Sequence, residues 1–144
     1  MSPMAQQRAP FEIMEHTADA GIIARGATPA EAFAHAAQGM YALMVDLADV
    51  RETESREVRV EAKDLPGLLT SWLLELLFLT ETEGLLFSRF DVQIDGTTLA
   101  GRAYGERVDP SRHKLGGVVK GVTRHLLDVG EENGACRVSV LFDM

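Results

Sequence analysis

Hydrophobic and polar residues alternate along much of this chain, and the alternation predicts β-strands. In the clearest case Val58, Val60 and Ala62 occupy one side of a strand and charged residues the other, so one face is expected to be buried. Asp95-Gly96 separates two further alternating segments and predicts a hairpin turn between them. The predicted strands cover residues 11–14, 22–25, 57–62, 87–94, 99–104, 118–129 and 136–142.

Two other segments repeat apolar residues at helical spacing, and each begins with a capping sequence. Thr28 can cap the first helix, with Pro29 in its first turn and Glu31 completing a capping box. Asp64 can cap the second helix, and Gly84 is its predicted stop. Because apolar residues cover most of the second helix, we expect it to be central to the core or packed on both sides.

These elements predict a single α+β domain in which two main helices pack on a mostly antiparallel or mixed sheet. The length of 144 residues, with 46% hydrophobic and 25% charged residues, fits one domain with a sizeable core. Residues 1–10 are polar and are expected to be a flexible leader before a domain at 11–144. They lack the apolar segment of a secretory signal, and the most apolar run, 65–79, contains Glu75, so we expect a cytoplasmic protein.

Charge and cysteine usage narrow the classes of function. The net charge of −8 argues against stable direct binding to nucleic acid, which needs clustered Lys and Arg, and favours a basic protein surface or a cation. The single cysteine, Cys136, excludes an intrachain disulfide, and its place among alternating valines predicts a small buried residue. The chain has no GxSxG elbow, Walker loop, CxxC pair or GxGxxG segment after a strand.

Two acidic segments are candidates for a metal site. Asp19 lies in the segment EHTADAGI at residues 15–22, and Asp143 and Met144 end the sequence. If the sheet brings these segments together, two side-chain carboxylates and the terminal carboxylate of Met144 form an oxygen cluster that suits Ca²⁺, Mg²⁺ or Mn²⁺. By spacing alone, a turn-capping Asp19 and a solvated acidic tail are the commoner outcomes. His16 is either a softer ligand or a hydrogen-bonded turn histidine.

A third candidate segment, residues 109–125, carries several cations. Lys120 is predicted in the middle of a strand beside apolar residues, where it could neutralise an acidic cluster or present a charge to a phosphate. An exposed strand face is the simpler explanation for this lysine. Arg112, His113 and Lys114 are predicted to form a solvated loop.

Taken together, four segments of the chain resemble the archease family. They are EHTADAGI at 15–22, the loop DPSRH at 109–113, the strand VKGVTRH at 119–125 and the terminal VLFDM at 140–144. The resemblance extends over residues 11–144 and includes the order of the predicted elements.

The resemblance implies a function. Archeases are small metal-binding cofactors of the RtcB-type RNA ligase, which joins RNA ends in tRNA splicing and RNA repair through a guanylylated histidine, and they promote its guanylylation and multiple turnover. The family's metal site maps onto Asp19, Asp143 and Met144, and its functional lysine onto Lys120. Gly121 stands where the family commonly has alanine. The resemblance therefore implies a non-catalytic ligase activator, with Ca²⁺ as the first expectation for the metal and Mg²⁺ or Mn²⁺ as alternatives.

Two rival functions from other classes remain open. One is a metal-dependent phosphohydrolase that uses Asp19 and Asp143 as ligands and Lys120 as a phosphate clamp. The lack of an evident general base other than His16 weighs against this hydrolase. The other is a chaperone-like modulator of an RNA-modifying enzyme.

Overall fold

The computed structural model describes residues 10–16 and 19–144, without the side chains of Glu15 and His16. The expected leader, apart from Pro10, and residues 17 and 18 therefore lie outside the described residues. The α+β prediction is confirmed. In chain order the elements are β1 (Phe11–His16), β2 (Asp19–Gly26), α1 (Pro29–Ala42), a 3₁₀ turn (Leu47–Asp49), β3 (Glu54–Glu61), α2 (Leu65–Glu83), β4 (Leu85–Asp95), β5 (Thr98–Arg107), β6 (Gly121–Glu132) and β7 (Ala135–Asp143).

The strands form two sheets rather than one, and every pairing among the described residues is antiparallel. The larger sheet has the order β1-β2-β7-β6 and the smaller one β3-β5-β4. The chain starts the larger sheet with β1 and β2, builds the smaller sheet and both helices, and then returns with β6 and β7. Strands from opposite ends of the chain, β2 and β7, are therefore neighbours.

Helix α1 joins the two sheets, because it packs against β2 of the larger sheet and β4 of the smaller one. Its side chains Phe33 and Tyr41 are fully buried. The Trp72 indole N–H, from α2, donates to the Phe33 carbonyl at 3.0 Å, and the Tyr41 hydroxyl donates to the Leu76 carbonyl at 3.0 Å. These bonds satisfy the polar ends of large side chains whose burial stabilises the fold by roughly 1.5–3 kcal/mol each.

Both predicted helix starts, and the predicted end of α2, are confirmed. The Thr28 hydroxyl accepts from the Glu31 N–H at 3.2 Å, and the Asp64 carboxylate accepts from the Gly67 N–H at 2.8 Å. Helix α2 ends at Gly84, whose φ of 67° lies in the left-handed region that glycine adopts without a steric cost. These features depend only on residues three or four positions apart, so the sequence reveals them directly.

Helix α2 is less covered than its sequence predicts. Leu68 and Trp72 are buried, but Leu74 and Phe78 on another side of the helix are exposed. The helix packs against strands of both sheets, as expected, but the side that carries Leu74 and Phe78 is exposed. No helix among the described residues, α2 included, is long and apolar enough to cross a membrane.

Two strands at the candidate site begin three residues away from their predicted starts. Strand β2 begins at Asp19, so this residue opens a strand rather than lying in a loop. Strand β6 begins at Gly121, so Lys120 precedes the strand and the prediction of a mid-strand lysine is wrong. The Gly116 N–H donates to the Met44 carbonyl at 2.9 Å. This bond holds the segment just before Lys120 against the end of α1, so that segment is not part of the sheet.

Strand β6 is also interrupted, where the alternation predicts a continuous strand. Its register with β7 shifts between Thr123 and Asp128, so that residues 124–127 lie opposite the single residue Val140. Within this bulge Leu126 has a φ of 64°. A non-glycine residue in this region costs about 1 kcal/mol, so the bulge is a locally strained part of the edge strand.

Two smaller sequence predictions are confirmed. Asp95 pairs with Thr98 across a tight turn in which Gly96 has a φ of 63°. Cys136 is buried in β7, and this burial raises the pKa of its thiol. A protonated, buried thiol has no nucleophilic role.

The contact between β4 and β5 gives a direct test of the packing. A Cβ atom added at Gly105 would lie 1.8 Å from the Leu86 carbonyl oxygen, whereas one added at Gly121 would have no atom within 4 Å. We expect Gly105→Ala to lower the free energy of unfolding by about 3 kcal/mol, because a backbone atom must move. Gly121→Ala should change it by about 0.5 kcal/mol or less. Urea denaturation measures both, and equal losses would contradict the close approach.

Candidate functional site

The structure places Asp19 directly opposite Asp143. The first is the initial residue of β2 and the second the last residue of β7, and they are partners in the antiparallel ladder. Such residues point to the same face of a sheet, with Cβ atoms about 4.5–5.5 Å apart. The adjacent pair, Ala20 with Phe142, points to the other face, where Phe142 is fully buried. The two carboxylates therefore lie together on the outer face, at the end of the larger sheet.

Two further candidate residues lie at the same end of this sheet. Strand β6 pairs with the other side of β7, so Gly121 is also a partner of Asp143. The N–H of Lys120, one residue earlier, donates to the Asp143 carbonyl at 2.7 Å. Met144 follows in the chain, and its terminal methyl carbon lies 3.2 Å from the position of a Cβ atom on Gly117. The fold thus brings together the segments that the metal-site hypothesis requires.

The two carboxylates have no protein partner in the described part of the chain, where neither side chain makes a hydrogen bond or an ion pair. Asp143 is exposed and Asp19 is half-buried. Like charges placed directly opposite each other destabilise a strand pair, and a cation between them removes this cost. Carboxylate oxygens are also the donors that Ca²⁺, Mg²⁺ and Mn²⁺ prefer, so the residues fit a hard divalent cation.

The acidic pair needs additional donors to hold such a cation. Side chains of His, Cys, Asp and Glu form no metal-binding group of three or more among the described residues. Backbone carbonyl groups and water are oxygen donors that can complete such a site. The exposure of Asp143 is suited to a partly hydrated ion.

The remaining two predicted site residues differ in what the structure shows of them. The Lys120 side chain is exposed, and its amine makes no ion pair within the described residues. His16 is the backbone partner of Asp19 in the β1–β2 hairpin, but its side chain lies outside the described residues. A role for His16 therefore stays a prediction.

A buried polar cluster lies at the start of the connector, the segment 108–120 that joins β5 to β6. The His113 side chain is fully buried. Its Nε2 lies 2.9 Å from a carboxylate oxygen of Glu106 and 3.1 Å from the Asp49 carbonyl oxygen, and its Nδ1 accepts from the Asp109 N–H at 2.8 Å. Because both neighbours of Nε2 are acceptors and Nδ1 accepts from a backbone N–H, the hydrogen bonds place the donor hydrogen on Nε2.

Glu106 is the centre of this cluster. Besides the bond from the histidine, its carboxylate accepts from the Arg51 N–H at 2.7 Å and from the guanidinium of Arg112. Arg112 also donates to the Asp49 carbonyl at 2.9 Å. The arginine is the main cause that lowers the pKa of Glu106 to about 2, so this buried carboxylate stays ionised. The cluster ties the end of β5 and the start of the connector to the segment after α1.

The sequence prediction of a solvated loop is wrong for Arg112 and His113, whereas Lys114 is exposed as expected. The sequence contains one local sign of this cluster, a turn that begins at Asp109. The Asp109 carboxylate accepts from the Ser111 N–H at 3.0 Å and stabilises the turn. A turn alone does not reveal which polar side chain it buries, since burial depends on a partner elsewhere in the fold.

Comparison with known proteins finds relatives over most of the chain. Residues 11–144 match the archease protein family. Protein archease of Sulfurisphaera tokodaii is 43% identical over 121 residues, which cover 83% of this chain and 87% of the relative. Protein archease of Methanothermobacter thermautotrophicus is 39% identical over 138 residues, which cover 93% of this chain and 98% of the relative.

Solved structures share the fold. The solution structure of protein 1598 of Methanobacterium thermoautotrophicum has a TM-score of 0.84 and 38% identity, over 94% of this chain and 99% of that one. A crystal structure of an archease, possible chaperone, from Thermotoga maritima has a TM-score of 0.57 and 20% identity, over 96% of this chain and 98% of that one. Two helices on two antiparallel sheets are therefore an arrangement that this chain has in common with solved proteins.

The Glu106 cluster has a pH dependence with a defined sign. Because the pKa of Glu106 falls from its usual value near 4.5 to about 2 on folding, its stabilising effect is present above pH 4.5 and is lost towards pH 2. We expect Glu106→Gln to cost about 1–3 kcal/mol of unfolding free energy at pH 7, since the amide group faces donors. Urea denaturation at several pH values should show the difference from the parent protein shrinking below pH 4.5.

The matched control for this variant is Glu57→Gln. Glu57 pairs with Arg102 at the surface of the smaller sheet, so its loss should change stability by about 0.5 kcal/mol or less. A cost for Glu106→Gln that is independent of pH would contradict the depressed pKa.

Proposed function

Because the chain belongs to the archease family, we propose that it is a non-catalytic activator of an RtcB-type RNA ligase, promoting the ligase's guanylylation and multiple turnover in tRNA splicing and RNA repair. The observation that carries the proposal is the pairing of Asp19 with Asp143, whose carbonyl accepts the Lys120 N–H at 2.7 Å. Accessible charged groups at the end of a rigid sheet suit a protein that acts in a partner's active site rather than in a pocket of its own.

In this proposal Asp19 and Asp143 bind one divalent cation, with the terminal carboxylate of Met144 as a third donor. Their lack of other partners among the described residues and their hard oxygen donors support this assignment. Ca²⁺ is the first candidate, and Mg²⁺ and Mn²⁺ are alternatives. The bound cation would supply positive charge towards a phosphate.

Lys120 is the second charged element of the proposed site. Its amine is exposed and makes no ion pair within the described residues, so it is available to a phosphate group of the nucleotide held by the ligase. Positioning and electrostatic stabilisation are the contributions that such an activator can make to the attack by the ligase histidine. The net charge of −8 suits docking on a basic, RNA-binding protein and disfavours direct binding of RNA by this chain.

The metal site is tested by calcium titration of the metal-free protein. Asp19→Asn and Asp143→Asn should each weaken calcium binding about tenfold or more. Loss of even a residue that only supports a metal ligand typically weakens metal affinity by about 10- to 100-fold. A short extension after Met144, which converts the terminal carboxylate into an amide, should weaken binding as well. Isothermal titration calorimetry measures all three.

The matched control is Asp91→Asn, an exposed aspartate on the smaller sheet, which should leave calcium affinity unchanged. Unchanged affinity in the variants of Asp19 and Asp143 would overturn the site. Unchanged affinity in the extended protein would remove only the terminal carboxylate of Met144 from the ligand set.

The activator function is tested by multiple-turnover ligation with a cognate RtcB-type ligase. The parent protein should raise the rate, and Lys120→Ala should reduce this stimulation about tenfold or more, as expected when a group that contacts transition-state charge is removed. Lys63→Ala is the control, because it removes an exposed lysine that precedes α2 rather than one from the site. Absence of stimulation by the parent protein would contradict the proposal, and phosphatase activity that is lost in Asp19→Asn would favour the hydrolase.

A further inference from the structure

The connector, residues 108–120, exposes an unusual share of apolar side chains. Among the described residues seven large apolar side chains are exposed, and three of them, Val108, Leu115 and Val118, lie in this one segment. Leu115 is 53% exposed and Val118 is 66% exposed. Single exposed apolar residues are common on soluble proteins, but several on one segment indicate a surface that contacts another molecule.

The connector is held in place although it forms no helix or strand. Its start is anchored by the buried Glu106 cluster, and its end by the backbone bond from Lys120 to β7. Between them the Gly116 N–H donates to the Met44 carbonyl at 2.9 Å, and Val119 is buried in the core. The exposed side chains therefore project from an ordered backbone, so binding a partner involves little entropic cost for ordering this segment.

The connector is basic although the protein is acidic. It contains Arg112, Lys114 and Lys120 and a single acidic residue, Asp109, in a chain with a net charge of −8. Arg112 is paired with Glu106, but neither lysine makes an ion pair within the described residues. Apolar side chains between two available cations match the chemistry of a nucleotide site, where apolar walls surround anionic phosphates.

We propose that the connector is the surface through which this protein docks on the ligase. Leu115 and Val118 pack against apolar walls at the entrance of the ligase's nucleotide site, and Lys114 and Lys120 face the phosphates. This inference rests on the proposed activator function and specifies the surface that performs it. The occupant is identified by charge complementarity and by continuity with the acidic pair, since the Lys120 N–H is bonded to the Asp143 carbonyl.

A second exposed apolar pair provides a matched control. Leu74 and Phe78 lie one helical turn apart on α2 and are exposed to a similar degree. Their helix also carries Glu75 and Glu81, so this surface does not suit an anionic site. If exposed apolar area alone caused binding, this pair would contribute as much as the connector.

The test compares Leu115→Gln/Val118→Gln with Leu74→Gln/Phe78→Gln. Binding to the ligase loaded with a GTP analogue is measured by isothermal titration calorimetry, together with calcium affinity and melting temperature. We expect the connector variant to raise Kd about tenfold or more, the loss typical of residues at the centre of an interface. Its calcium affinity and melting temperature should match those of the parent, and the α2 variant should change Kd about twofold or less.

Failure of this inference is distinguishable from failure of the activator function. If the connector variant binds as the parent does, or only the α2 variant loses affinity, the docking surface is wrong while stimulation by the parent still supports the function. If the parent neither binds nor stimulates the ligase, both proposals are overturned.

Discussion

The pairing of β2 with β7 is the constraint on which the rest of the structure depends. Its register is set on the core face, where Ile22 lies opposite Val140 and both are fully buried. A shift by one residue would turn every such side chain outward. Each buried aliphatic side chain contributes roughly 1.5–3 kcal/mol, whereas two like charges opposite each other cost up to about 1 kcal/mol. The core therefore holds Asp19 beside Asp143 against their mutual repulsion.

The candidate site draws on both sheets. The larger sheet supplies the acidic pair, with Asp143 in a strand that has a neighbour on each side. The smaller sheet acts through Glu106, near the end of β5, which anchors the connector by accepting from His113. Because the connector then returns to β7 through the N–H of Lys120, the cationic segment and the acidic pair belong to one packed unit. Their relative position is fixed before any ligand binds, which is what an accurate binding site requires.

The sequence predicts local features well and distant ones poorly, and the reason is physical. Caps such as Thr28 and Asp64 act over three residues, so composition and spacing are sufficient to find them. Alternation identifies most strands but does not say which of them are neighbours. The meeting of Asp19 with Asp143 was therefore only a hypothesis from the two acidic segments, to which the family resemblance added support. Burial of a polar residue depends on its partner, so no pattern revealed His113.

The error at Lys120 has a different origin. Valines on either side of it repeat with the period of a strand, but Gly116 and Gly117 allow the chain to leave the sheet and bond to the end of α1. The valine that this period places beside Lys120, Val118, is 66% exposed, and its neighbour Val119 is buried. The period therefore reports neither which valine is buried nor which element covers it. The same ambiguity applies to α2, because leucines on most sides of a helix do not show that another element covers each side.

Under the proposed function, the acidic pair has a consequence for the choice of partner. Without a cation, two carboxylates beside the connector would repel any phosphate that approaches Lys120, since unit charges about 4 Å apart near a protein surface interact by about 4 kcal/mol. A divalent cation offsets the charge of the two aspartates and so lowers the repulsion of a phosphate that approaches Lys120. Coupling between two binding events is reciprocal, so a phosphate-bearing partner must strengthen cation binding by the same factor. Docking would then require the bound ion, and the ligase would contact the metal site and the connector together.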